Sequence, residues 1–183
     1  MKHTVTGGRS SLGIVIMGVS GSGKSNLGQG LAAVCGVPFI EGDDFHSSSR
    51  IAKMASGTPL DDIDRWPWLD SVGAALGESA RREGMAVAAC SALKRSYRDR
   101  LRSATGISLV FVCLVGTRDL LLARLQNRTG HYMPVTLLES QLAILEPPNE
   151  DERALILDTG ESVAHLLAAV EKWLACERDH DVL

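Results

Sequence analysis

Aromatic residues are scarce in this chain: three Trp, two Tyr and three Phe among 183 residues. Its core must therefore rest mainly on aliphatic side chains. Cysteine is sparse too, and Cys35, Cys90, Cys113 and Cys176 form no C-x-x-C pair and have no histidine at zinc spacing. All four read as buried thiols, with Cys90 and Cys113 in or beside strand-like runs, which suits packing in a reducing cytosol. Positive charge has no excess: 19 Lys and Arg face 22 Asp and Glu, for a net charge of −3 and a pI near 5.9. That balance leaves no footprint for nucleic acid or an anionic membrane, while a local basic pocket for a small anion stays open. No apolar run is long enough to span a bilayer, and the one after Met1–Ser11 is too short for a signal-peptide core. Internal repeats and low-complexity segments are absent as well.

What the chain does have is length for one domain, and an alternation of short apolar runs with amphipathic stretches. Strands are predicted at Leu12–Met17, Pro38–Glu41, Met85–Cys90, Leu109–Val115 and Ala154–Asp158. Helices are predicted at Lys24–Val34, Arg50–Ser56, Ile63–Arg82, Arg95–Arg102, Arg118–Asn127, Val135–Leu145 and Val163–Cys176. Thr117 and Ser162 stand where helix N-caps belong. The pattern implies a three-layer α/β fold, a parallel five-stranded sheet with helices on both faces. Two stretches break the alternation: the turn Gly57–Asp62, and Arg128–Pro134, a polar segment with one glycine that suits a small lid. The ordered core is expected over 12–176, with flexible ends at 1–11 and 177–183.

Directly after the first strand, Gly18-Val19-Ser20-Gly21-Ser22-Gly23-Lys24-Ser25 spells G-x-x-x-x-G-K-S. Such a loop turns its backbone N–H groups inward on phosphate oxygens, with the lysine reaching the β- and γ-phosphates and the serine hydroxyl on Mg²⁺. The helix that follows adds its N-terminal dipole. Gly18, Ser20, Gly21, Ser22, Gly23, Lys24, Ser25, Asn26 and, farther on, Arg124 form the expected nucleotide-binding set. The fold is then that of the P-loop NTPases.

Ligands of open α/β sheets sit outside the carboxyl ends of the strands. Asp43 and Asp44 end the second strand there, and a kinase needs a carboxylate at that place to orient the attacking hydroxyl or hold Mg²⁺. Asp43 is the stronger candidate, with Ser25 as its partner on the metal. His46 is placed to bind substrate hydroxyls or to cap Asp43. Arg50, Lys53, Arg65 and Lys94 form the set from which a cation for an anionic substrate would come, and Ser91 is within reach of the same edge. Trp68 reads as core; Arg95 and Arg98 read as a solvated helix face. Arg124 and Arg128 would neutralise charge on a transferring phosphoryl group, and His131 in the lid segment joins the expected substrate-binding set.

Assembled, these residues resemble the gluconokinases, small kinases of the group that includes shikimate kinase. The likeness runs from Ile14 to Asp158 and rests on Gly18–Ser25, Gly42-Asp43 with His46, Lys53–Leu60, Asp64-Arg65 with Pro67-Trp68-Leu69, and Cys90-Ser91-Ala92-Leu93-Lys94. It continues in Tyr97-Arg98, Arg124-Leu125, Arg128, Gly130-His131, Ser140-Gln141 and Leu145-Glu146-Pro147-Pro148. Ser47-Ser48-Ser49 departs from the family, where proline and basic residues would follow the histidine. The resemblance implies a cytosolic homodimer that uses ATP and Mg²⁺ to phosphorylate D-gluconate to 6-phospho-D-gluconate, with Lys24, Asp43 and Arg128 at the reaction centre. Shikimate kinase is a nearby alternative, but Ser91-Ala92 stands where that family shows a Gly-Gly-Gly turn. A non-catalytic nucleotide-binding regulatory module is a distant one, and the guanine-reading Asn-Lys-x-Asp is missing.

Overall fold

Five parallel strands run through the middle of the molecule in the order β2-β3-β1-β4-β5. The computed structural model describes residues 11–127 and 135–180, so the expected lid at 128–134, with Arg128 and His131, lies outside the described residues, as do 1–10 and 181–183. The strands are β1 Leu12–Gly18, β2 Phe39–Glu41, β3 Met85–Ala89, β4 Ser108–Val115 and β5 Ala154–Asp158. The helices are α1 Lys24–Cys35, α2 Ser48–Ala55, α3 Asp62–Glu83, α4 Arg95–Thr105, α5 Arg118–Gln126, α6 Val135–Ile144 and α7 Val163–His180. The expected three-layer α/β architecture is the observed one.

Alternation along the central strand builds both halves of the core. Ile14 and Ile16 of β1 point to one face, where Leu27 and Leu31 of α1 and Leu166 and Val170 of α7 cover them. Val15 and Met17 point to the other, against Trp68, Leu69, Val72 and Leu76 of α3. These β1 residues are fully buried, as both faces of a parallel strand must be. Trp68 is core, as its sequence context indicates, and its indole N–H donates to the Gly42 carbonyl at 2.7 Å. Burial of the thiols holds for Cys90 and Cys113; Cys35 is half-buried and Cys176 exposed. Helix α7 continues past the expected end at Cys176, and Glu177 within it pairs with Arg153 at 2.9 Å.

β1 has β3 on one side and β4 on the other, so the chain reverses its direction of growth beside β1. The crevice at the carboxyl end of β1 is where such a sheet receives a ligand. The segment Gly18–Ser25 leaves β1 at that point.

Candidate active site

The phosphate loop is shaped by backbone conformations that only glycine adopts without strain. Gly18, Gly21 and Gly23 have φ of 142°, 80° and 91°. A Cβ on Gly18 would also lie 2.6 Å from the Leu114 carbonyl oxygen, so the loop can leave the sheet this close to β4 only without a side chain. Gly23 then opens α1, whose first residues are Lys24 and Ser25. Three other parts of the chain brace the loop. The Gly18 N–H donates to the Ser91 carbonyl after β3 at 3.3 Å. The Thr159 hydroxyl after β5 donates to the Ser22 carbonyl at 2.5 Å. The Ser20 N–H donates to the Gln141 side chain of α6 at 2.7 Å. Lys24 Nζ donates to the Val19 carbonyl across the loop at 3.0 Å. Inside it the Ser22 hydroxyl is buried with no hydrogen-bond partner among the described residues, an orphan that a bound anion would satisfy. Ser20 and Ser25 are half-buried, and Asn26 is exposed on the first turn of α1.

Arg124 reaches the loop from α5. Its guanidinium donates to both the hydroxyl and the carbonyl oxygen of Thr159, each at 2.6 Å, and Thr159 in turn holds Ser22. Arg124 thus supports the loop through Thr159, a residue without a motif of its own in the sequence.

β2 ends in a short 3-10 turn, Gly42–Phe45, absent from the sequence-based reading. A Cβ on Gly42 would stand 2.3 Å from the Ala89 carbonyl oxygen, so the turn can hug the end of β3 only with glycine there. This approach puts Asp43 at the carboxyl edge of the sheet, with its side chain largely exposed. The charges of Asp43, Lys24 and Arg65 are all felt at the buried Cys90 thiol at the end of β3. Burial pushes that thiol up to about 12, and it plays no part as a nucleophile.

His46 is more enclosed than its polar setting suggests. Its side chain is 5% exposed and stacks on Trp68, with ring centroids 4.4 Å apart. Nε2 lies 3.9 Å from the Asp43 carboxylate, and Nδ1 is buried without a partner among the described residues. Burial holds the ring's pKa below its usual value against the opposing pull of Asp43. A neutral imidazole with one unspent nitrogen is therefore set beside the carboxylate.

The four candidate cations divide into two kinds. Lys53 donates to Asp64 at 2.5 Å and lies 3.5 Å from Asp61; Lys94 donates to Asp62 at 2.8 Å. The three carboxylates open α3, where Asp61 and Asp64 also form a capping box. Both lysines are held above their usual pKa by these bonds, and Asp62 and Asp64 below theirs. Arg50 and Arg65 have no acidic partner within ion-pair distance among the described residues. Arg65 is buried, donates through Nε to the Leu60 carbonyl at 3.2 Å, and sits 5.4 Å over the Tyr97 ring. It lines a cleft of about 490 Å³ together with Leu60, Asp62, Lys94, Tyr97 and Ile144. Arg50 lies in the first turn of α2, where Ser47 accepts from its backbone N–H as the helix N-cap, so of the three serines that replace the family's residues one caps the helix and Ser48 and Ser49 begin it.

Arg98 corrects the sequence reading outright. It is fully buried and bonds Glu152 through two parallel 2.6 Å contacts. Arg95 is exposed and pairs with Asp151, so only it fits the solvated face.

Comparison with known proteins fits this geometry. The family model described as an AAA domain matches residues 14–148. The gluconokinase of Gluconobacter oxydans is 47% identical over 139 residues, covering 76% of this chain and 78% of that protein. This chain belongs to the gluconokinase family. Among solved structures, a gluconokinase from Sinorhizobium meliloti superposes with a TM-score of 0.84 at 44% identity, covering 94% of this chain and 96% of the other. A shikimate kinase from Acinetobacter baumannii shares the fold alone, with a TM-score of 0.59 at 18% identity over 90% of this chain and 93% of its own.

Proposed function

We propose that this gluconokinase-family chain transfers the γ-phosphoryl group of ATP to the terminal hydroxyl of D-gluconate, giving 6-phospho-D-gluconate and ADP. The observation that carries the reading is the Arg65 cleft: a buried guanidinium with no acidic partner among the described residues, lining a cavity of about 490 Å³. A guanidinium fork with no carboxylate of its own, its Nε already set by the Leu60 carbonyl, matches a substrate carboxylate. Lys53 and Lys94 are already engaged by the acids of α3, so their part is to shape the pocket and meet hydroxyls. Ser91 and His46 contribute further polar groups on the wall beside Asp43.

In the transfer, the bond from the γ-phosphorus to the β,γ-bridging oxygen breaks as the bond to the gluconate oxygen forms. Asp43 orients the attacking hydroxyl and receives its proton. The loop amides of Gly18–Ser25 and Lys24 hold the phosphates together with Arg128, while His131 is assigned to the substrate. Among the described residues, no cluster of three or more His, Cys, Asp or Glu side chains is built to hold a metal. Magnesium typically takes one or two protein oxygens and completes its shell with phosphates and water, so Ser25 and Asp43 suffice as its protein ligands. Bound there, it would neutralise charge between the β- and γ-phosphates. The enzyme acts as a homodimer in the cytoplasm, as its family resemblance implies.

An ADP-release assay against gluconate, other sugar acids, neutral sugars, shikimate and nucleoside monophosphates tests the assignment. Gluconate should turn over far above the water background. If gluconate stays at background while another acceptor turns over, the assignment is wrong.

A further inference from the structure

Gln141 braces the phosphate loop, and nothing in that role uses the other end of its side chain. It lies in α6, the helix that follows residues 128–134, and its Oε1 accepts from the Ser20 N–H at 2.7 Å across 121 positions of sequence. Ser20 is the third residue of Gly18–Ser25, inside the arc whose amides make the anion concavity. A backbone N–H can only donate, so the heading of the carboxamide is fixed: its carbonyl meets the loop and its NH₂ is the other end. Among the described residues, this is the side chain's only hydrogen bond, and the residue is half-buried. Two unspent donors are thus held at the rim of a loop built for phosphate oxygens. Preorganised donors of this kind act where negative charge gathers in a phosphoryl transfer.

We infer that Gln141 binds the γ-phosphoryl group, with Oε1 kept on the Ser20 N–H and Nε2 donating to a terminal phosphate oxygen. The inference rests on the reading of the chain as an ATP-dependent kinase and adds a donor to that site. Both ends of one carboxamide then fasten α6 to the loaded loop. A diphosphate has no oxygen at that place, so the contact distinguishes ATP from ADP. A clip that only shaped the loop would treat the two nucleotides alike.

Gln141→Glu separates these roles, because a carboxylate still accepts from the Ser20 N–H but has no donor for phosphate and repels it. The variant should lose about 10²-fold in kcat, the usual order for one such donor. Its affinity for the β,γ-imido analogue of ATP should fall about tenfold further than its affinity for ADP. Wild-type kcat together with a wild-type preference for triphosphate would overturn the inference, and so would equal weakening of both nucleotides. If Gln141→Glu does not fold, the wild type decides the matter. Its Gln141 side-chain amide resonance should move with the imido analogue and not with ADP, and identical positions in the two complexes would refute the contact. A wild-type enzyme that ignores gluconate yet keeps its preference for triphosphate would sink the acceptor assignment and leave Gln141 in place.

Discussion

Asp43 and Arg65 divide the acceptor side of the site between chemistry and binding, and their substitutions should separate in kinetics. Asp43→Asn keeps shape and hydrogen bonding but removes the charge that orients and deprotonates the hydroxyl. Its kcat should drop on the order of 10²-fold or more, with nucleotide affinity nearly kept; a variant with wild-type kcat would refute the role. Arg65→Lys keeps a charge yet loses the planar fork over Tyr97 and the Nε bond to Leu60. It should raise KM for gluconate about tenfold or more and leave KM for ATP alone, which initial-rate measurements on each substrate would show. The sequence supports Arg65 only as one of four cations. Nothing local says that Lys53 and Lys94 are already matched by acids at the start of α3, because Lys94 and Asp62 stand 32 positions apart. Arg98 escapes a local reading for the same reason, since its partner Glu152 is 54 positions away and a charged helix residue looks solvated until its neighbours are known.

At the level of elements, the features legible in the sequence are those whose causes are local. Apolar runs of strand length, helix periodicity and the glycine spacing of Gly18–Ser25 each write their own signature within a few residues. The 3-10 turn Gly42–Phe45 does not, although Gly-Asp-Asp reads well as a turn of some kind. Its geometry is imposed by β3, which Gly42 approaches so closely that a methyl group would fall 2.3 Å from the Ala89 carbonyl oxygen. Gly42→Ala must therefore push the turn off the sheet, straining the Trp68 bond to the Gly42 carbonyl and moving Asp43. Overpacking of this sort costs about 1–3 kcal/mol, so urea unfolding should show the loss and kcat should fall with it. Asp44→Ala, at an exposed position in the same turn, should change neither. If Gly42→Ala retained full stability and full kcat, the turn would not be what places the carboxylate.

Across the whole molecule, the tie between Arg98 and Glu152 joins α4 to the segment that leads into β5, on the side of the sheet covered by α3. Both side chains are essentially inaccessible, at 0% and 1% exposure, and Arg102 adds a third contact to the same carboxylate at 3.3 Å. The Arg98 guanidinium holds Glu152 at a pKa of about 2, against 4.5 for the free side chain. A depressed carboxylate pKa means that the unfolded chain takes up the proton first as pH falls. The stabilisation is thus complete above about pH 4.5 and is lost as pH drops through that value towards 2. The difference corresponds to about 3 kcal/mol, an order-of-magnitude figure. Glu152→Gln leaves a buried guanidinium without its counter-charge, which costs about 3–5 kcal/mol at neutral pH. The same substitution removes the titrating group, so the variant's stability should change less than the wild type's between pH 4.5 and 2. Urea unfolding at a series of pH values measures both effects together. A wild type and variant with parallel pH profiles would show that other carboxylates, and not this buried pair, set the acid limit of the fold.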